Sequence, residues 1–316
     1  MASDGSGWGA PAVLRHSLLW ASRRRGVQRV VSRAPLTRRL VHRFVAGENL
    51  AGAVTAVRRL TGRGLSVTVD HLGEDTHDAA GARAAVAVHR ALIAQLAAEG
   101  LAPRAEVSLK LSSLGQSLDG ELAFENALEV CRAAAGVGMP VTIDMEDHTT
   151  TDSTLGLGIR LRAEHPSTGL VVQASLRRSE ADCRVLAHPG SRIRLCKGAY
   201  QETAVRAWQR RNDIRAAYLR CLRILLDGGA TPLIATHDPA LIDACHRLIA
   251  VRGGPAHEHQ MLFGIRADEQ ARLVIAGEEV RIYVPFGERW YPYLTRRMAE
   301  RPANLALVLR ALAGGG

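Results

Sequence analysis

No two cysteines in this chain form a CxxC pair. The five present (Cys131, Cys183, Cys196, Cys221, Cys245) are odd in number and scattered. That excludes a disulfide framework and a cysteine zinc site and fits the reduced thiols of a cytosolic-type protein. Aromatic residues make up only 4%, and no stacking platform or recognition motif appears, so a nucleic-acid partner is not expected. No apolar run approaches the roughly 18 residues that cross a bilayer. No GxGxxG follows a strand-like run, so a Rossmann dinucleotide fingerprint is missing. Acids are nearly absent from the start of the chain: up to residue 45 there are nine arginines against Asp4 alone. Three readings of that region stay open: a solvated face of bracing helices, a basic surface for anionic membrane, or an Arg-rich targeting leader.

What is present is a hydrophobic fraction of 47% with 23% charge over 316 residues, a balance suited to a globular core and a length suited to a strand–helix barrel. From about residue 65 the chain is rhythmic. Eight short β-branched runs (LSVTVDHLGE, AEVSLKLSS, MPVTIDMEDH, GLVVQASL, RIRLCKGAY, TPLIATHD, HEHQMLFG, VRIYVPFG) each end in a polar cluster and alternate with Ala/Leu/Arg-rich helical stretches. Strand alternating with helix predicts α/β architecture with a parallel sheet, mostly apolar on both sides. Eight units predict a (β/α)8 TIM-type barrel, with a doubly wound open sheet as the rival. The division expected is a basic helical segment, 1–60, packing on a catalytic barrel, 61–316. The first ten or so residues, small and polar, are expected to be disordered.

The polar residues favour the barrel. Lys110, Asp144, Gln173, Arg194, His237 and Tyr283 fall at or near the ends of different strands, and only a closed sheet brings all those ends to one mouth. In YLTRRMAE, helical spacing sets Tyr293, Arg296, Arg297 and Glu300 on one face. Adjacent guanidiniums facing Lys110, Arg194 and Lys197, with Asp144 and Glu74 as counter-charges, make an excess of cation suited to a carboxylate or phosphate. The bland alternative is an ion-pair network anchoring the last helix. Lys110 is also the candidate for a Schiff-base aldolase, if neighbouring cations lower its pKa. Asp70, His71, the DMEDH run and THD offer metal-ligand types, but the surrounding cations argue against a metal centre. HEH at His257–His259 is read as a local departure without a metal role, so no metal is expected.

Taken together and in order, RIRLCKGAY, VTIDMED, IATHDP, RIYVPFG and YLTRRMAERPAN resemble the proline dehydrogenase family, its monofunctional bacterial members in particular, from Phe44 to Leu312. The resemblance implies a distorted (β/α)8 barrel that binds FAD at the strand C-termini. It implies oxidation of L-proline to pyrroline-5-carboxylate by hydride transfer, with electrons passed to a membrane quinone. Hydroxyproline or another cyclic imino acid is the substrate alternative. By the same resemblance Lys110, Arg296 and Arg297 hold the substrate carboxylate, Tyr293, Tyr283 and Leu262 close around the ring, and Glu74 pairs with Arg297. Asp144 positions Lys110 and touches the cofactor side. Gln173 and Arg194 approach the flavin ring, while Lys197, Gly198, Ala199, Thr236, His237 and Glu300 line the rest. Ser175 and Phe263 depart from the family pattern. The implied location is cytoplasmic, peripheral at the inner face of the cytoplasmic membrane. Nothing in the residues alone names a flavin.

Overall fold

Each of the eight β-branched runs contains one strand, and the eight close on themselves. The computed structural model describes residues 41–73 and 76–300, the side chains of 296–300 excepted. After α1 (Leu50–Thr61), the strands are β1 (Ser66–His71), β2 (Ala105–Leu109), β3 (Val141–Ile143), β4 (Gly169–Gln173), β5 (Arg192–Cys196), β6 (Thr231–Ala235), β7 (Glu258–Leu262) and β8 (Val280–Phe286). They alternate with α2 (Ala79–Ala98), α3 (Gly120–Ala135), α4 (Thr151–Glu164), α5 (Ser179–Leu186), α6 (Arg211–Asp227), α7 (Pro239–Ala250), α8 (Ala267–Ile275) and α9 (Trp290–Glu300). The strands pair in parallel and in chain order, and β8 returns to β1 from Ser66↔Arg281 to His71↔Phe286. That closing ladder decides between barrel and open sheet. The Arg-rich segment up to residue 40 and Glu74 lie outside the described residues.

Local chemistry sets the helix starts. Asn49, Asp78 and Asp119 each cap a helix by accepting a backbone N–H, from Gly52, Gly81 and Glu121 respectively. Pro239 opens α7, where its missing N–H costs nothing. Ahead of α4, whose N-cap residue Thr150 makes no side-chain cap bond, Asp147 instead orders the preceding turn by accepting the Thr149 N–H at 2.9 Å.

The strands are two-faced, contrary to the expectation of apolar residues on both sides. Val67, Val69, Val107, Leu109, Ile193 and Leu195 are fully buried and pack beneath the helices; each contributes roughly 1.5–3 kcal/mol of burial. The alternate positions of β1, β2 and β5 point inward and are mostly polar, whereas Val171 of β4 and Leu233 of β6, in register with Arg194, keep apolar residues on that side. Glu106, with no exposed surface, accepts from Thr68 at 3.0 Å and from Arg194 at 3.0 Å, and pairs with Arg192. Burial would push its carboxyl up, but Arg192, Arg281 and Arg194 outweigh that and hold it well below the usual range.

The barrel is irregular at its seam. The groove outside β8 and β1, where the helix following β8 packs in a regular barrel, is filled by α1 through Ala53, Val54, Val57 and Leu60. Helix α9 instead clusters through Trp290, Tyr291, Tyr293 and Leu294 with Leu72, Leu262 and Ile265 at the C-terminal ends of β1 and β7. It lies over the mouth. Residues 41–48 tie it down: Val41, Phe44 and Val45 join the cluster, and the Trp290 indole N–H donates to Glu48 at 2.9 Å.

Candidate active site

Lys110 leaves β2 at its C-terminal end and turns into the mouth, three-quarters buried. Its ammonium pairs with Asp70, the fifth residue of β1, and lies 3.6 Å from Asp144, which follows β3. Burial alone would lower the Lys110 pKa; the two carboxylates, with Glu146 behind them, outweigh it and raise the pKa above the ordinary value. The ammonium is therefore charged. Burial and the adjoining Asp144 charge in turn push the Asp70 carboxyl up despite the ammonium. An aldolase lysine needs a neutral amine, so this geometry runs against the Schiff-base reading.

Asp144 is the junction of the site. One oxygen accepts from Arg194 at 2.6 Å and the other from the Tyr283 hydroxyl at 2.6 Å. The Arg194 guanidinium, 5.3 Å from the Tyr283 ring centroid, also donates to Gln260 at 2.6 Å, Ser108 at 3.2 Å and Glu106 at 3.0 Å. Arg194 and Tyr283, expected at or near C-terminal strand ends, occupy mid-strand positions, third of five in β5 and fourth of seven in β8. They form the floor of the mouth, one layer below Lys110. Among the described residues the expected surplus of cation is not found either, because Lys110 and Arg194 are matched by Asp70, Asp144 and Glu106. The side chains of Arg296, Arg297 and Glu300 lie outside the described residues.

The opposite side of the rim is built by β4 to β7. Gln173 ends β4 and donates to the Glu146 carbonyl at 2.7 Å. Lys197, just past β5, pairs with Asp238 at 2.6 Å, and Arg215 joins the same oxygen at 2.7 Å. These two cations draw the Asp238 carboxyl down to about 2, against the effect of burial. Gly198 has φ +101, and a Cβ there would strike the Ser175 hydroxyl. Ala199 beside it is exposed, and Thr236 is buried past the end of β6. The His237 ring accepts the Leu262 N–H at 2.8 Å, which fixes Nε2 as the unprotonated nitrogen. Leu262 ends β7 in contact with the cluster that contains Tyr293. Phe263 packs in the main core with the Arg59 guanidinium 5.6 Å from its ring centroid.

The structure thus gathers Lys110, Asp144, Arg194 and Tyr283 into one network, sets Tyr293 and Leu262 above it, and arranges Gln173, Lys197, Gly198, Thr236 and His237 along the far rim. Sequence reasoning missed Asp70 as the direct partner of Lys110, and Glu106 and Gln260 beneath Arg194. Asp70 leaves a signal, an acid closing the first β-branched run, but by residue type alone it reads as a metal ligand. Glu106 and Gln260 left none beyond their alternation with apolar neighbours.

Comparison with known proteins agrees with this geometry. Residues 53–309 match the family model described as "Proline dehydrogenase". The chain is 39% identical to the proline dehydrogenase of Deinococcus radiodurans, over 87% of this chain and 91% of that one. It is 38% identical to proline dehydrogenase 2 of Bacillus subtilis, over 85% and 89%, and 35% identical to proline dehydrogenase 1 of the same organism, over 95% and 99%. Among solved structures, proline utilization A from Bdellovibrio bacteriovorus, crystallised after inactivation by N-propargylglycine, superposes with a TM-score of 0.76 at 24% identity. That match covers 83% of this chain and 32% of the other, and it supports the barrel fold. With the barrel closed, the charged floor at its mouth and these matches over most of its length, the chain belongs to the proline dehydrogenase family and is an oxidoreductase.

Proposed function

We propose that the chain oxidises L-proline to pyrroline-5-carboxylate with FAD, passes the electrons to a membrane quinone, and works in the cytoplasm as a peripheral enzyme at the inner face of the cytoplasmic membrane. The observation that carries the reading is α9 lying over a buried Lys110–Asp144–Arg194 network. A small zwitterion held there has its carboxylate facing cations and its ring enclosed by apolar walls.

The residues present suit a flavin. At Gly198 the positive φ and the nearness of Ser175 leave a turn without a side chain, so a planar group can approach the backbone. Gln173, Lys197, Thr236 and His237 bring donors to the same rim, and they, with Arg194, Ala199, Asp144 and Glu300, are the residues that would hold the cofactor. When bound, the flavin supplies the two-electron acceptor for the hydride on the carbon beside the substrate nitrogen.

The chain's own part is positioning. Lys110 offers a charged ammonium whose place is fixed by Asp70 and Asp144, so little orienting entropy remains to be lost on binding. Arg296 and Arg297, one turn beyond Tyr293 on α9, supply the clamp for the carboxylate; each charge-assisted contact contributes about 1.5–3 kcal/mol. Tyr293, Tyr283 and Leu262 wall the ring and exclude water.

The purified protein should show flavin absorption that bleaches on anaerobic addition of L-proline. A colourless protein, inactive with proline after FAD is supplied, would overturn the reading. Arg296→Ala and Arg297→Ala should each raise the apparent KM for proline by about tenfold or more; unchanged KM in both removes the clamp. Support for the membrane step is the Arg-rich start of the chain, and no described helix is long and apolar enough to cross a bilayer. Removing residues 1–43 should reduce sedimentation with anionic liposomes, and equal sedimentation would count against that step.

A further inference from the structure

At the end of the barrel opposite the mouth, three histidines and a glutamate converge that the oxidation does not use. His257 precedes β7, and His259 is its second residue; His246 lies on α7 and Glu278 on the turn into β8. Positions 258, 260 and 262 of β7 face the barrel interior, so His259 points outward, beneath α7, and is 1% exposed. Its Nε2 stands 2.8 Å from Nε2 of His246. Glu278 brings one carboxylate oxygen to 3.6 Å from the His246 nitrogen and the other to 3.8 Å from that of His259.

We propose that His246, His259 and Glu278 form a divalent-cation site of the zinc class, with His257 as the residue that positions Glu278 and water completing the coordination. The distances carry it. Ligand atoms about 2.05 Å from a tetrahedral zinc stand roughly 3.3 Å apart, and the separations of 2.8, 3.6 and 3.8 Å bracket that value.

A second observation concerns His257. Its Nδ1 lies 2.9 Å from the Pro255 carbonyl, which can only accept, so Nδ1 carries the hydrogen. In the neutral ring the Nε2 lone pair then faces a Glu278 oxygen at 3.0 Å. Three imidazole nitrogens and a carboxylate are thus turned toward one another, and a cation can take the place of the single hydrogen shared between His246 and His259. A backbone carbonyl fixing the far ring nitrogen is the usual support of a metal-site histidine. The neighbouring Arg272 does not oppose this, since Glu269 holds its guanidinium at 2.7 and 3.0 Å. Half-buried His246 and Glu278 leave a path from solvent.

A zinc here links α7, the start of β7 and the entry to β8, on the face of the barrel associated with stability. The test uses the untagged full-length chain. Competition with a chromophoric chelator should give one zinc per chain, Co(II) should give the strong visible bands of a tetrahedral site, and zinc should raise the Tm. His246→Ala and Glu278→Gln should each weaken zinc binding by about ten- to a hundredfold and abolish the Tm increase. His257→Ala should weaken it less, and proline oxidation should persist in all three. Wild-type protein that takes up no stoichiometric zinc overturns the site. So does zinc affinity that is unchanged in Glu278→Gln, a conservative change at a partly exposed position that leaves the fold intact.

Discussion

Lys110 shows how a single buried charge is made useful. An ammonium in the floor of a barrel is stable only if its charge is met, and Asp70 and Asp144 meet it from two strands. Lys110→Met leaves those two carboxylates facing each other without a cation. We expect kcat/KM for proline to fall by roughly a hundredfold, read by steady-state dye reduction. A loss below twofold would show that the network is structural. Helical spacing placed Tyr293 on the face of Arg296 and Arg297, and the structure sets Tyr293 over the mouth. Asp70 was legible as a strand-end acid, but its partner lies 40 residues further on, and no local pattern connects the two.

At the scale of elements, the proposed cofactor and substrate contacts fall on the turn after β5 and on the last helix. The KGAY turn depends on Gly198, whose φ of +101 other residues rarely adopt. Gly198→Ala strains the backbone by about 1–2 kcal/mol and drives a methyl toward Ser175. The expected result is protein purified with less flavin, measured as the ratio of flavin to protein absorbance; full retention would remove this turn from the cofactor cradle. Helix α9 was recognisable as a helix from its period, but its placement was not. It crosses the mouth because α1, earlier in the chain, already fills the groove outside β8 and β1. Which helix occupies a groove is a competition between distant segments, and no window of sequence contains it.

At the scale of the whole molecule, the barrel interior is held by charge. Glu106 draws Arg192 and Arg194 together, and removing one member of such a buried set leaves the others unmatched. Glu106→Gln should cost about 3–5 kcal/mol in urea unfolding; a cost under about 1 kcal/mol would mean that water reaches the interior. Stability should also depend on pH through His89, buried on α2 with its Nδ1 2.7 Å from the Ala85 carbonyl. Burial lowers its pKa to about 4. The unfolded chain takes up that proton near pH 6.5 and the folded chain does not, so stability falls as pH drops from about 6.5 to 4. The share due to His89 is on the order of 3 kcal/mol. His89→Leu should lose that part of the slope relative to wild type, as measured by urea unfolding across the window.

The sequence by itself determined eight strands alternating with helices, because hydrophobic alternation and turn chemistry act within a few residues and survive being read one segment at a time; its collinear motifs carried the family resemblance, and the β8–β1 ladder closed the barrel. The sequence also marked Lys110, Asp144, Arg194 and Tyr283 as members of one site. Only the tertiary structure decided that Arg194 and Tyr283 sit below the rim, that Asp70 rather than a distant arginine sets the charge of Lys110, and that three histidines meet a glutamate at the far end. Those outcomes depend on how strands align across a closed sheet, where one residue of shift exchanges inside for outside.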